Sequence, residues 1–77
     1  MAATHAVLNV PSVSCNHCKM AIEGAVAGLA GVDGVLVDVA DKTVTVDFED
    51  GAVTLETIEQ KVADEGYAVA GHHVFGA

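Results

Sequence analysis

Two stretches of strict alternation sit in the middle of this chain. Val35, Val37 and Val39 alternate with Leu36 and Asp38, and Val44, Val46 and Phe48 alternate with Thr45, Asp47 and Glu49. Period two puts successive side chains on opposite faces of a strand, so each stretch offers one apolar face. A tight Ala40-Asp41-Lys42 turn joins them, which reads as a hairpin with one buried side. A hairpin alone is marginal in water. The rest of the chain must cover its apolar face.

The flanking segments supply that cover. Thr4 to Val10 is apolar-rich with strand character, and Pro11 removes a backbone donor, so regular pairing should end about there. From about Asn16 to Leu29 the apolar residues change period. Ile22, Ala25, Val26 and Leu29 recur at spacings of three and four, the mark of one helix face. Ser14 or Asn16 can cap its start, and Gly31 can close its end. After the hairpin, Gly51 and Ala52 lead to a second helix. Thr54 is its N-cap, Glu56 lies in its first turn, and Leu55, Ile58 and Val62 form its apolar stripe. Gly66 is a stop signal, and Tyr67 to Val74 reads as a last strand.

The order is β-α-β-β-α-β. Two helical stripes against the apolar face of one sheet give an α+β, ferredoxin-like βαββαβ sandwich: a four-stranded antiparallel sheet with two helices on one face. All of residues 1–77 read as a single domain, and the two halves form a rough internal repeat. In this topology the last strand lies antiparallel to the first, which sends the loop after strand one and the turn at Tyr67 to the same end of the sheet. The other end gathers His5, His72 and His73.

Charge narrows the partners. Eleven acids stand against Lys19, Lys42 and Lys61, for a net charge of −8. Such a surface repels phosphate backbones and anionic lipids, which excludes a nucleic-acid partner and leaves a basic protein surface as the better fit. Acidity also keeps a small protein soluble. The acids Glu56, Glu59, Asp64 and Glu65 of the second helix read as a solvated face. The segment MAATHAVLNV lacks the basic and apolar blocks of a secretory signal, and no apolar run is long enough to span a bilayer. The expectation is a cytoplasmic protein in a reducing compartment, without membrane insertion.

The chemistry-bearing residues lie in VSCNHCK. Cys15 falls in the loop after strand one, and Cys18 in the first turn of the helix, so both sulfurs can face the same way. The helix N-terminus and Lys19 favour the thiolate, which is the metal-binding and nucleophilic form. Three readings of the pair compete. Cu(I) takes soft sulfur ligands, and two thiolates are a sufficient set. Structural zinc takes four ligands, and the chain has no second CxxC or CxxH to complete them. A redox dithiol is the third reading. There is no Trp beside the motif, and the sole proline, Pro11, precedes it. These features favour the metal over the redox reading.

The VSCNHC motif, the stretch IEGAVAGLAGVDGVLVDV and the segment IEQKVADEGYAV together resemble the heavy-metal-associated domains, and within them the bacterial CopZ-type copper chaperones. The resemblance implies Cu(I) bound by Cys15 and Cys18 and delivered to the metal-binding domain of a copper-exporting P-type ATPase. It also departs from the family at Val13, where a buried Met is usual. Members directed at zinc or cadmium often carry an acid where this chain has Ser14, and mercury-scavenging members are typically exported.

Tyr67 falls where copper chaperones place a tyrosine near the metal loop. Its hydroxyl can bond toward a cysteine sulfur, or its ring can simply pack over the core. His17 is a solvated residue, a tuner of the thiols, or a donor in a copper-bridged homodimer. Lys19 is solvent-facing or offsets the negative charge of a bis-thiolate centre. His5, His72 and His73 are exposed strand-end histidines or a second metal site, too far from Cys15 to share its ion. The alternatives to a free chaperone are an N-terminal metal-binding domain of a copper ATPase and a dithiol redox protein. The opening Met and the stop soon after the last strand suit the free chaperone.

Overall fold

The computed structural model describes residues 3–49 and 51–75. Its elements are β1 (Ala3–Asn9), α1 (Asn16–Ala27), β2 (Val32–Asp38), β3 (Thr43–Glu49), α2 (Leu55–Asp64) and β4 (Gly71–Phe75). The four strands form one sheet in the order β2-β3-β1-β4, antiparallel throughout. This is the βαββαβ arrangement the periodicity predicts.

Register explains why both helices share a face. Leu8 lies opposite Val44, Ala6 opposite Val46, and Val37 opposite Val44. Residues directly opposite each other share a face, so these apolar side chains make one surface. All of them are buried, together with Ile22 and Val26 of α1 and Ile58 and Val62 of α2. The two helices therefore cover this surface. Along β3 buried and half-buried residues alternate strictly, and the other face, with His5, Thr45 and Asp47, is open.

The boundaries differ from expectation in four places. Helix α1 stops at Ala27 rather than near Leu29: Gly28 is its C-cap, and the Leu29 amide donates to the Val26 carbonyl at 3.0 Å in a tightened last turn. Gly31, expected to close that helix, opens β2 instead. Its φ of 95° and its crowding against Ala52 require glycine, because a Cβ there would lie 2.8 Å from the Ala52 Cβ. The N-cap position of α1 is Cys15, not Ser14 or Asn16, and its side chain makes no capping bond. Lastly, β4 begins at Gly71, not Tyr67. The Tyr67 amide turns back to the Val62 carbonyl at 3.4 Å, and pairing with β1 starts only where the Ala70 amide reaches the Asn9 carbonyl at 2.8 Å. Thr54 caps α2 as expected, with the Thr57 amide donating to its hydroxyl oxygen at 3.2 Å.

The Asp41 amide donates to the Asp38 carboxylate at 3.0 Å, and Lys42 takes a left-handed φ of 57°.

Candidate metal centre

The loop from β1 to α1 is pinned at two buried points. Val10 and Val13 are fully buried, while Pro11 and Ser12 between them are exposed. The Val10 amide donates to the Lys42 carbonyl at 2.9 Å, and the Val13 amide to the Val10 carbonyl at 3.1 Å. Val13 thus fills the packing position expected of it. Beyond it the chain rises to the surface at Ser14 and Cys15, then enters α1, where the Lys19 amide donates to the Cys15 carbonyl at 3.2 Å.

This path sets the sulfurs side by side. Cys15 Sγ and Cys18 Sγ are 3.6 Å apart, and both cysteines are free. The separation is well beyond a disulfide bond length of about 2.05 Å. Cys15 is exposed, while Cys18 is half-buried and packs on the core edge beside Tyr67.

The pair is acidic. Hydrogen bonding from the Tyr67 hydroxyl, and next from the Ser14 backbone N–H, lowers the Cys18 thiol from 9.0 to about 6, against an opposing effect of burial, with a smaller lowering from Cys15. The same contact raises the Tyr67 hydroxyl above its usual value, since losing its proton would cost the bond to the Cys18 sulfur. The thiolate is therefore the main form of Cys18 at neutral pH. Donors aimed at the sulfur produce this, whereas Lys19, which the sequence reading credited, is not among the causes.

The other candidate residues divide clearly. Tyr67 reaches the pair. Ser14 acts through its amide rather than its side chain, which is exposed. His17 is exposed between the cysteines, and Lys19 is half-exposed on the following position. The histidines do not gather at the far end as expected: because β4 starts only at Gly71, His72 and His73 lie opposite Leu8 and Val7, while His5 lies opposite Phe75. His72 donates from Nδ1 to Glu59 of α2 at 2.8 Å on the helix side of the sheet, while His5 pairs with Asp47 on the open side. The His73 ring stacks on Phe75 with centroids 4.6 Å apart. Among the described residues, no group of three or more His, Cys, Asp or Glu side chains is placed to hold a metal ion. The dithiol offers two soft donors and no hard third one, the set suited to a soft, low-coordinate cation.

One contact escaped the sequence reading. The Lys42 ammonium donates to the Val13 carbonyl at 3.0 Å, across 29 residues of chain. No local pattern encodes it, because it depends on the β2–β3 turn folding onto the β1–α1 loop.

A small α+β sandwich with two adjacent free cysteines at the start of its first helix, one exposed and the other acidic, defines a class of soft-metal-type dithiol domains. The heavy-metal-associated domain model matches residues 7–68, and the chain belongs to that family. It is 40% identical over 63 residues to the copper chaperone CopZ of Staphylococcus haemolyticus, a match spanning 82% of this chain and 93% of the relative. Among solved structures, a CopZ metallochaperone superposes with a TM-score of 0.84 at 33% identity, covering 86% of this chain and 98% of that one. The N-terminal domain of a potential copper-translocating P-type ATPase from Bacillus subtilis, solved in its Cu(I)-loaded state, superposes with a TM-score of 0.80 at 23% identity, covering 95% of this chain and 92% of that one. That second likeness is one of fold.

Proposed function

We propose that this protein is a cytoplasmic carrier that holds one Cu(I) between Cys15 and Cys18 and hands it to the metal-binding domain of a copper-exporting P-type ATPase. The observation that carries the proposal is the pair of sulfurs 3.6 Å apart with one of them open to solvent. A small outward hinge of either side chain lets both sulfurs bind one ion from opposite sides. The 40% identity to a copper chaperone supports copper as the cargo, and Ser14, in place of an acid, leaves the site without a hard third ligand.

Transfer follows from low coordination. A thiolate of the acceptor donates a lone pair to the exposed Cu(I), giving a three-coordinate intermediate. One original Cu–S bond then breaks, a second acceptor thiolate replaces the other, and the ion has crossed with no change of oxidation state. Each step exchanges one copper–sulfur bond for another, so tight binding and fast transfer are compatible. Because Cys18 is largely deprotonated near neutral pH, binding there needs little proton release. The acceptor in this proposal shares the donor's fold, so the two sites meet as like surfaces. The net charge of −8 sets encounter rate and partner choice more than affinity. The role is carriage, and no bond of an organic substrate is made or broken.

Competition with bicinchoninate tests the assignment. Reduced wild-type protein is expected to withdraw one equivalent of Cu(I) from the bicinchoninate complex, and Cys15→Ser and Cys18→Ser to lose at least about a hundredfold in affinity, as loss of a ligand should. Tight binding retained in both variants overturns the proposal.

A further inference from the structure

A single peptide group connects the β2–β3 turn to the cysteine pair. The Lys42 ammonium donates to the Val13 carbonyl at 3.0 Å. That carbonyl belongs to the Val13–Ser14 peptide, which leads directly into Cys15, whose sulfur stands 3.6 Å from that of Cys18. The Lys42 carbonyl meanwhile accepts from the Val10 amide at 2.9 Å. One residue thus grips the loop at both of its buried points. Lys42 does so from a left-handed backbone with φ of 57°, a conformation better suited to Gly or Asn. Neither of those side chains reaches the Val13 carbonyl.

We propose that Lys42 is a positioning residue for the dithiol: by fixing the Val13 carbonyl, it holds the loop that carries Cys15 and presets the pair for metal. The restraint runs from the ammonium to the carbonyl, and through the Val13–Ser14 peptide to Cys15. A charge-assisted donor makes a strong grip, and it polarises the Val13–Ser14 peptide, so the Ser14 amide proton reports it. The loop then spends less of its time in arrangements that cannot bind, which raises apparent affinity. The inference deepens the copper-carrier reading and rests on it for its functional part.

The test compares Lys42→Asn, which keeps a left-handed turn but is too short, with Lys42→Arg, which keeps charge and reach. Three measurements are made on reduced protein: bicinchoninate competition for Cu(I), the Ser14 amide resonance in the ¹⁵N–¹H spectrum of the apo form, and the urea midpoint. Lys42→Asn is expected to lower Cu(I) affinity about three- to tenfold and to move the Ser14 amide proton upfield. Its urea midpoint should equal or exceed that of wild type, since Asn relieves the backbone. Lys42→Arg should restore both the affinity and the resonance. The proposal is overturned if Lys42→Asn keeps both, if Lys42→Arg behaves like Lys42→Asn, or if the affinity loss comes with a matching fall in stability. Should wild-type protein bind no Cu(I), the carrier reading fails, and the Ser14 resonance still decides whether Lys42 orders the peptide.

Discussion

The two helices of this protein start in nearly the same way and to opposite ends. Each is entered from an extended residue, Cys15 with φ of −155° and Thr54 with φ of −101°. Each carries a matching residue three positions on, Cys18 and Thr57. The paired atoms stand close in both, with the threonine hydroxyls 2.9 Å apart and the cysteine sulfurs 3.6 Å apart. At α2 the Thr54 oxygen accepts the Thr57 amide at 3.2 Å, and Glu56 lies in the first turn. At α1 there is no side-chain cap and no acid in the first turn. Oxygen is a good acceptor and closes the helix end, whereas sulfur is a weak one and leaves its amides open. Within one fold, the same junction serves as structure when it carries hydroxyls and as a site when it carries thiols.

If α1 forgoes its cap, packing must hold it. Ile22 and Ile58 are both fully buried, one in each helix. Ile22→Ala and Ile58→Ala are each expected to cost about 2–5 kcal/mol from lost burial and the cavity left behind. Urea unfolding of the reduced apo protein reads both. An Ile22→Ala cost less than half that of Ile58→Ala would break the comparison, because an uncapped α1 would then lack the anchoring it needs.

Caps give the next effect down. Thr54→Ala removes a working cap and should cost about 1 kcal/mol. Cys15→Ala removes none and should change apo stability by less than about 0.5 kcal/mol. Equal losses in the two variants, measured by the same unfolding, would mean that the Cys15 sulfur does cap α1 and that the two junctions are alike in energy as well as shape.

What the sequence reveals follows the same divide between local and long-range causes. The alternation from Val35 to Phe48 and the stripe through Ile22 and Val26 are local, so the order of elements and the buried face are readable from spacing alone. Thr54 is readable as a cap because its partner lies three residues away. Gly31 misleads: a glycine just past an apolar helical run reads as a stop, but here it leads into β2 with a left-handed φ and a backbone packed too close to Ala52, beyond the hairpin, for any side chain. The start of β4 misleads for a similar reason. Tyr67 looks like strand by composition, yet its amide is held by the end of α2. At the candidate site, the cysteines and Tyr67 are visible as motif and resemblance. The Ser14 amide is invisible because backbone groups carry no sequence signature. Lys42 is hidden by 29 residues of separation from the carbonyl it binds.

The last effect is the most specific to the α1 junction. Cys18 is lowered from 9.0 to about 6 in the folded protein, with the Tyr67 hydroxyl as the largest cause. A group whose folded value lies below its unfolded one adds stability above the unfolded value and loses it as pH falls through the folded value. Apo protein should therefore lose stability on acidification from about 9.0 toward about 6, and Cys18→Ser should remove that part of the slope. Tyr67→Phe keeps the ring and deletes the donor. Its Cys18 acid constant should weaken by up to about tenfold, because the Ser14 amide and Cys15 still hold the sulfur. Thiolate absorbance at 240 nm against pH reads the midpoint directly. Thr54→Ala, at the junction without thiols, should leave that midpoint where it is. A Tyr67→Phe midpoint unchanged from wild type would mean that Tyr67 only packs over the core. One returned wholly to the ordinary thiol value would mean that the Ser14 amide contributes nothing and that the open helix start does not favour the thiolate.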